Sequence, residues 1–303
     1  MQIFGDSTGF TMTTTTQLSL LRHEINDQGV VTLWLDGNDR PVVVLDRELI
    51  QRLNTTLDVI EQEKNVNALF LRSDCSKVFV AGADLAEIDG LDDPALHAYL
   101  AFGTTVFGRL AKLPYPSLAL ISGASLGGGL EIAMHCDAII ASKVGSNDKP
   151  YLIGLPETGL GICPGWGGTQ MLPARIDPTI ALEATATGNL FKSNAMPEGL
   201  ADVLVETPEE LTAAAETWIE KNSAVQRSIP RCIENTSKNY KEAIESFKTN
   251  SESSESTKSV LLAVETGVDK GWSSAVAVEQ CELVRLRNTQ TAQQKIKAFL
   301  SKG

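Results

Sequence analysis

Between Ser117 and Ser142 the chain reads SLALISG, then ASLGGG, then LEIAMHC, then DAIIAS. Two short apolar runs flank a segment that opens with three consecutive glycines, Gly127 to Gly129. The runs predict buried strands. The segment between them predicts a helix with Leu130, Ile132, Ala133 and Met134 on its apolar side. The same alternation begins further upstream. VVTLWL (Val30–Leu35) predicts a strand, LIQRLNTTLDVIEQE (Leu49–Glu63) an amphipathic helix, and ALFLRS (Ala68–Ser73) a buried strand. Strands separated by helices point to an α/β arrangement.

Beyond Ser142 the pattern loosens. KVGSNDKP (Lys143–Pro150) is a polar loop with turn formers. IGLPETGLGICPGWGGTQMLP (Ile153–Pro173) is too irregular for a long helix and too apolar for a linker. From about Ile180 the chain reads as helical, and SFKTNSESSESTKS (Ser246–Ser259) is a polar interruption before two last helices. No internal repeat is visible.

The chain is long enough, at 303 residues, to bury a substantial core, and 43% hydrophobic with 21% charged residues is a globular profile. A net charge of −12 argues against a surface that tracks nucleic-acid phosphates. No run of about 18 apolar residues exists to span a membrane. Residues 1–17 are Thr-rich and lack both a basic start and an apolar stretch, so they read as a disordered leader rather than a secretory signal. Cys75, Cys136, Cys163, Cys232 and Cys281 form no CxxC pair. Scattered thiols in odd number suggest reduced, buried cysteines and a cytoplasmic location. His23, His97 and His135 show no metal-ligand spacing, so no metal site is expected.

The glycines raise the chemical question. Each costs a helix about 1 kcal/mol relative to alanine, yet three stand at a helix start. Such a start presents unpaired N–H groups and partial positive charge, and glycine lets a ligand oxygen approach them closely. Neither phosphate-loop pattern is present, which leaves an oxyanion hole or tight helix–strand packing. Gly128 and Glu131 are i,i+3 and share a helix face. Glu157, in LPETG, is a second acid in an apolar, glycine-rich setting, and such acids are candidates for shifted pKa and acid–base work. VAGADL (Val80–Leu85) is a small-residue turn after a predicted strand, able to offer another backbone donor.

Taken together, FVAGADLAEI (Phe79–Ile88), ISGASLGGGLEIAMHCDAIIAS (Ile121–Ser142) and IGLPETGLGICPGWGGTQMLP (Ile153–Pro173) resemble the signature blocks of the enoyl-CoA hydratase/isomerase (crotonase) family. The third block is most similar to the hydratase half of the multifunctional α-subunit of fatty-acid β-oxidation. The resemblance implies a spiral of repeated ββα units: a catalytic core over 18–205, then a helical region over 206–303 that serves trimerisation and covers the CoA site. It implies an enoyl-CoA hydratase that adds water to a trans-2-enoyl-CoA. Ala83 and Gly128 would form the oxyanion hole, Glu131 would activate the water, and Glu157 would deliver the proton. Ala81, Asp84 and Leu85, then Gly127, Pro156 and Trp166, would contact substrate.

The tail AFLSK resembles a family ending that reaches into the adjacent subunit's CoA site, so Phe299 and Lys302 join the expected substrate contacts. The implied assembly is a homotrimer or a hexamer built as a dimer of trimers. No cofactor is implied beyond the CoA of the substrate. Two departures bear on the rim of the site. KVGSNDKP reads as an insertion able to alter that rim, and Ala86 stands where many relatives carry a lysine near the CoA phosphates. Two other readings stay open: a Δ3,Δ2-enoyl-CoA isomerase, which needs one acid, and a non-catalytic CoA- or RNA-binding protein on the same fold.

Overall fold

A computed structural model describes residues 18–222, 227–234, 238–250 and 253–301. The leader expected over 1–17 lies outside the described residues. Strands β1 (His23–Ile25) and β2 (Val30–Leu35) pair antiparallel, and after helix α1 (Arg47–Ile60) strand β3 (Ala68–Ser73) lies parallel to β2 with Val31 opposite Leu69. From there the chain lays strands alternately in two sheets. β4 (Val78–Val80) opens the second sheet, and α2 (Leu85–Gly90) and α3 (Asp93–Leu110) lead back to β5 (Ser117–Ile121) beside β3. β6 (Ala124–Leu126) joins β4, α4 (Gly128–His135) follows, and β7 (Ala138–Ser142) returns beside β5.

β8 (Leu152–Gly154) joins β6. Next come the short α5 (Gly168–Met171), α6 (Pro178–Thr187), β9 (Phe191–Lys192) and β10 (Val203–Val205). The six-stranded sheet runs β1-β2-β3-β5-β7-β10 and the four-stranded sheet β4-β6-β8-β9. Each turn of this spiral therefore adds one strand to each sheet and then a helix. Five helices follow: α7 (Leu211–Lys221), α8 (Lys238–Asn250), α9 (Glu255–Lys270), α10 (Trp272–Arg287) and α11 (Gln290–Leu300).

The local chemistry explains these elements. β5 and β7 are buried at every position, as central parallel strands covered on both faces must be, which is why they read as unbroken apolar runs. Helix α1 is capped by Asp46, whose side chain accepts from Leu49 N–H, and it buries Leu49, Leu53, Leu57 and Ile60 along one stripe. The main core lies between the two sheets and the helices, and takes in Leu53, Phe79, Leu100, Phe107 and Trp166. A smaller core on the other face of the large sheet joins Phe70, Leu118 and Ile140 to Leu211 and Ala215 of α7. Each fully buried Leu or Phe side chain contributes about 1.5–3 kcal/mol.

Several expectations are corrected. The region after Ile180 is not wholly helical, because β9 and β10 lie within it; at two and three half-exposed residues they are too short to show a period. The polar stretch 246–259 is mostly helix. Its first residues continue α8, which buries Ala243 and Ile244 against α6, and Ser254 caps α9 by accepting from Thr257 N–H. Three helices follow that cap, not two. Of the cysteines, Cys136 and Cys163 are buried, whereas Cys281 is exposed.

Candidate active site

The start of α4 needs its glycines for three different reasons. Gly127 has φ +52°, a conformation that side chains other than glycine rarely adopt, and a Cβ there would stand 2.8 Å from Glu157 Oε1. A Cβ on Gly128 would stand 2.4 Å from Cζ3 of Trp166, and one on Gly129 would stand 2.3 Å from the Val80 carbonyl. Both readings of the glycines are therefore realised: the helix packs tightly, and its first N–H is bare. Gly128 N–H has no acceptor among the described residues.

A second bare donor faces the same space. Leu45 N–H donates to Gly82 O (2.9 Å) and Asp84 N–H donates to Leu45 O (3.3 Å), which pins the turn on both sides of Ala83. Ala83 N–H itself has no acceptor among the described residues. Asp84 then caps α2, accepting from Ala86 N–H at 2.8 Å, and its other oxygen meets Arg40 at 3.0 Å. Its carboxylate is thus engaged by the protein itself.

These donors line a cavity of about 600 Å3, together with Glu131 and Glu157. Glu131 is 1% exposed, and its Oε1 accepts from Trp166 N–H and Gly168 N–H, both at 2.8 Å. Its Oε2 accepts from no group among the described residues. Burial raises its pKa well above the usual carboxylate range, and the charges of Glu157 and Glu279 add to the effect. Glu157 is 9% exposed, its Oε2 is buried without a hydrogen-bond partner among the described residues, and burial pushes its pKa up to about 8. Burial pushes Glu279 up to about 7, opposed by the donors it receives from Thr169 and Gly167. Burial with no cation beside them favours the protonated form in each of the three, and a charge left on Glu279 strengthens that preference in the other two. Glu157, with its bare oxygen, is the group whose protonated form loses least.

Every expected contact within the described residues reaches this cavity: Ala81, Asp84 and Leu85, then Gly127, Pro156 and Trp166, and finally Phe299. Lys302 lies outside the described residues. Trp166 is wall rather than chemistry: it is 1% exposed, its Nε1 donates to Leu100 O (3.0 Å), and its ring meets Tyr99 and Phe107 edge-on. His135 is a packed helix residue whose Nε2 meets Trp166 O at 3.0 Å, and burial lowers its pKa to about 4.

Residues 143–150 do not line the cavity; Lys143 pairs with Glu206 and Ser146 with the Ser76 carbonyl instead. Phe299 stands 56% exposed and lines this chain's own cavity, where the chain reverses at Asn288–Thr289 and lays α11 against α2. Arg40, which the sequence reading did not single out, is the one cation among the described lining residues. The signal for it was its place in a turn just before α1, close to the GAD turn only in space. Glu279 was missed as well. It occupies a core position of α10, between Ala275 and Leu283, where an apolar side chain would be routine.

The two-sheet spiral brings paired backbone donors and paired acids to one cavity. The family model described as enoyl-CoA hydratase/isomerase matches residues 26–274, and the chain belongs to that family. Among solved structures it is similar to the human mitochondrial Δ3-Δ2-enoyl-CoA isomerase, with 23% identity, 94% of this chain and 98% of the other covered, and a TM-score of 0.67. It is similar also to an enoyl-CoA hydratase from Bacillus anthracis (24% identity, 94% and 97% covered, TM-score 0.59). An enoyl-CoA hydratase from Bacillus halodurans matches at 19% identity, with 92% and 100% covered and a TM-score of 0.62. At such identities these likenesses show the fold. No helix among the described residues is long and apolar enough to cross a membrane.

Proposed function

We propose that this chain is an enoyl-CoA hydratase. The observation that carries the reading is that two buried glutamates, Glu131 and Glu157, share one cavity with two unpartnered backbone donors, Ala83 N–H and Gly128 N–H. The thioester oxygen of a trans-2-enoyl-CoA accepts from those two donors. Water held between the glutamates adds through its oxygen to C3, and the displaced electron pair collects on the thioester oxygen as an enolate. Each preorganised donor there contributes on the order of 3 kcal/mol. Glu131 takes the proton that the water loses, and Glu157 gives its own to C2 on the same face. One water is consumed, and a proton passing from Glu131 back to Glu157 resets the pair, which titrates as a unit. The reaction needs no group beyond the CoA that the substrate brings, and Arg40, which lines the cavity paired with Asp46 and Asp84, is the cation there that its phosphates would meet.

A second reading has one observation in its favour. Two amides hold Glu131 in place through Oε1, whereas Glu157 Oε2 is buried without a partner among the described residues, which makes Glu157 the freer acid, and a single mobile acid suffices for Δ3,Δ2-isomerisation. Incubation with crotonyl-CoA, following loss of the conjugated thioester absorbance, separates the two. Hydration removes the absorbance, whereas an isomerase leaves crotonyl-CoA intact and creates absorbance from a 3-enoyl-CoA.

A further inference from the structure

The segment Trp166–Thr169 is gripped from two sides by carboxylates that come from distant parts of the chain. Its four consecutive amides alternate. Trp166 N–H and Gly168 N–H donate to Glu131 on α4, both at 2.8 Å. Gly167 N–H donates to Glu279 Oε2 at 2.6 Å and Thr169 N–H to Glu279 Oε1 at 2.8 Å, on α10. The Thr169 hydroxyl adds a third bond to Glu279, at 2.5 Å. Behind it, the Gln170 amide donates to Thr169 Oγ1 (2.7 Å) and to the Ala263 carbonyl (2.9 Å) on α9. Glu279 is 0% exposed, and the donors that reach its carboxylate among the described residues come from Gly167 and Thr169, not from a cation. Burying an unpaired carboxylate is costly, and three convergent donors are what make it tolerable as an anion.

We infer that Glu279 is a positioning residue for Glu131: by drawing two alternate amides of the Trp166–Thr169 segment toward α10, it presents the other two to Glu131. Glu131 Oε1 is thereby occupied, and Oε2 is the oxygen left to face the cavity. The inference rests on the two-glutamate reading of the site. It explains why a buried acid stands in the apolar stripe of α10. An apolar side chain at 279 would leave Gly167 N–H and Thr169 N–H unpaired in the core, free to turn the segment away from Glu131.

The charge on Glu279 has a second effect. Its field raises the proton affinity of both Glu131 and Glu157. The other titratable groups near it do not share the task. Cys163, whose Sγ donates to the Glu279 backbone carbonyl, is held as a thiol by burial, and His135 is neutral. Glu282, one turn on, faces Arg285 and Ser259.

The test is Glu279→Gln, which keeps the shape and removes the charge, assayed for crotonyl-CoA hydration across pH. We expect KM to stay within about threefold and kcat to fall about 10- to 100-fold, as for a misplaced catalytic group. The alkaline limb of kcat should move down by about one pH unit, because a like charge has been withdrawn. A purely structural role would lower the amount of folded enzyme and leave that limb where it was. Thr169→Val, which removes one of the three donors, should show the same shifts in smaller measure and serves if the Gln variant does not fold. A folded Glu279→Gln enzyme with kcat within twofold and an unmoved limb overturns the inference. Should the native protein fail to hydrate crotonyl-CoA, the functional reading falls separately. Amide hydrogen exchange over residues 160–172 then decides the Glu279 contact. At least about tenfold faster exchange in the variant upholds the clamp, and unchanged exchange refutes it.

Discussion

Substituting Gly128 by alanine tests the geometry of the donor site with a single methyl group. The residue is helical, so its backbone accepts alanine, and the whole effect comes from space. The new Cβ would stand 2.4 Å and 2.8 Å from Cζ3 and Cε3 of Trp166, and 3.3 Å from Leu45 Cδ1, where ordinary contact begins at 3.4 Å. Trp166 cannot swing away easily. Its Nε1 is bonded to Leu100 O, its ring edges meet Tyr99 and Phe107, and Gly103 closes the far side, where a Cβ would stand 2.4 Å from Nε1. Ring and helix start must therefore part by about 1 Å, an overpacking cost of about 1–3 kcal/mol. Alanine's better helix propensity returns at most about 1 kcal/mol. A net loss of about 1–2 kcal/mol should lower Tm by about 2–8 °C. The same movement displaces Gly128 N–H, and a misplacement of about 1 Å costs about 100-fold in turnover. Scanning calorimetry and crotonyl-CoA hydration read the two effects. In a double variant with Trp166→Ala, the two destabilisations should sum to less than their parts by at least about 0.5 kcal/mol, since the second change makes room for the first. A Gly128→Ala enzyme with native Tm and native kcat would refute both the contact and the role of the donor.

The remaining predictions concern pH and the tail. Glu157 is raised from an ordinary 4.5 to about 8, so the folded state holds its proton more tightly than the unfolded chain does. Its stabilising contribution is complete below about pH 4.5 and is lost as pH rises through about 8. Urea unfolding across that window should show native stability declining with pH, with a shallower decline in Glu157→Gln; equal slopes would mean that Glu157 is not held protonated. Hydration should fall as pH rises through about 8, as the proton donor for C2 is lost. Truncation after Lys297 removes Phe299 and Leu300 from the cavity mouth, and should raise KM for acyl-CoA several-fold while leaving kcat within about threefold; an unchanged KM would show that the tail makes no contact with substrate. We propose a homotrimer or hexamer, for which light scattering should return three or six chain masses; a monomer would contradict it.

Much of this site was legible because its signals are local. The strands β5 and β7 announce themselves as unbroken apolar runs, and the bare backbone of Gly127–Gly129 marks where a helix must start close to something else. Glu131 and Glu157 stand out as acids among apolar and small residues. Other features were invisible for stated physical reasons. β9 and β10 carry too few residues for a period, and α8 is polar on the face that solvent wets, which hid its extent. Glu279 reaches Gly167 across 112 positions, and only the packing of α10 against α3 and α5 brings it there. In sequence it reads as one more charge in a helix that also carries Glu282, Arg285 and Arg287. The direction of the tail is likewise a tertiary fact, set by the reversal at Asn288–Thr289.

The central claim is that Glu131 and Glu157 act together on one water. Single-turnover hydration of crotonyl-CoA by the native protein, Glu131→Gln and Glu157→Gln, each matched for binding of a 3-hydroxyacyl-CoA product analogue, tests it most directly. The account predicts rapid hydration by the native protein and a loss of at least about 100-fold in each variant, with analogue binding changed far less. Near-native hydration by either variant would contradict it.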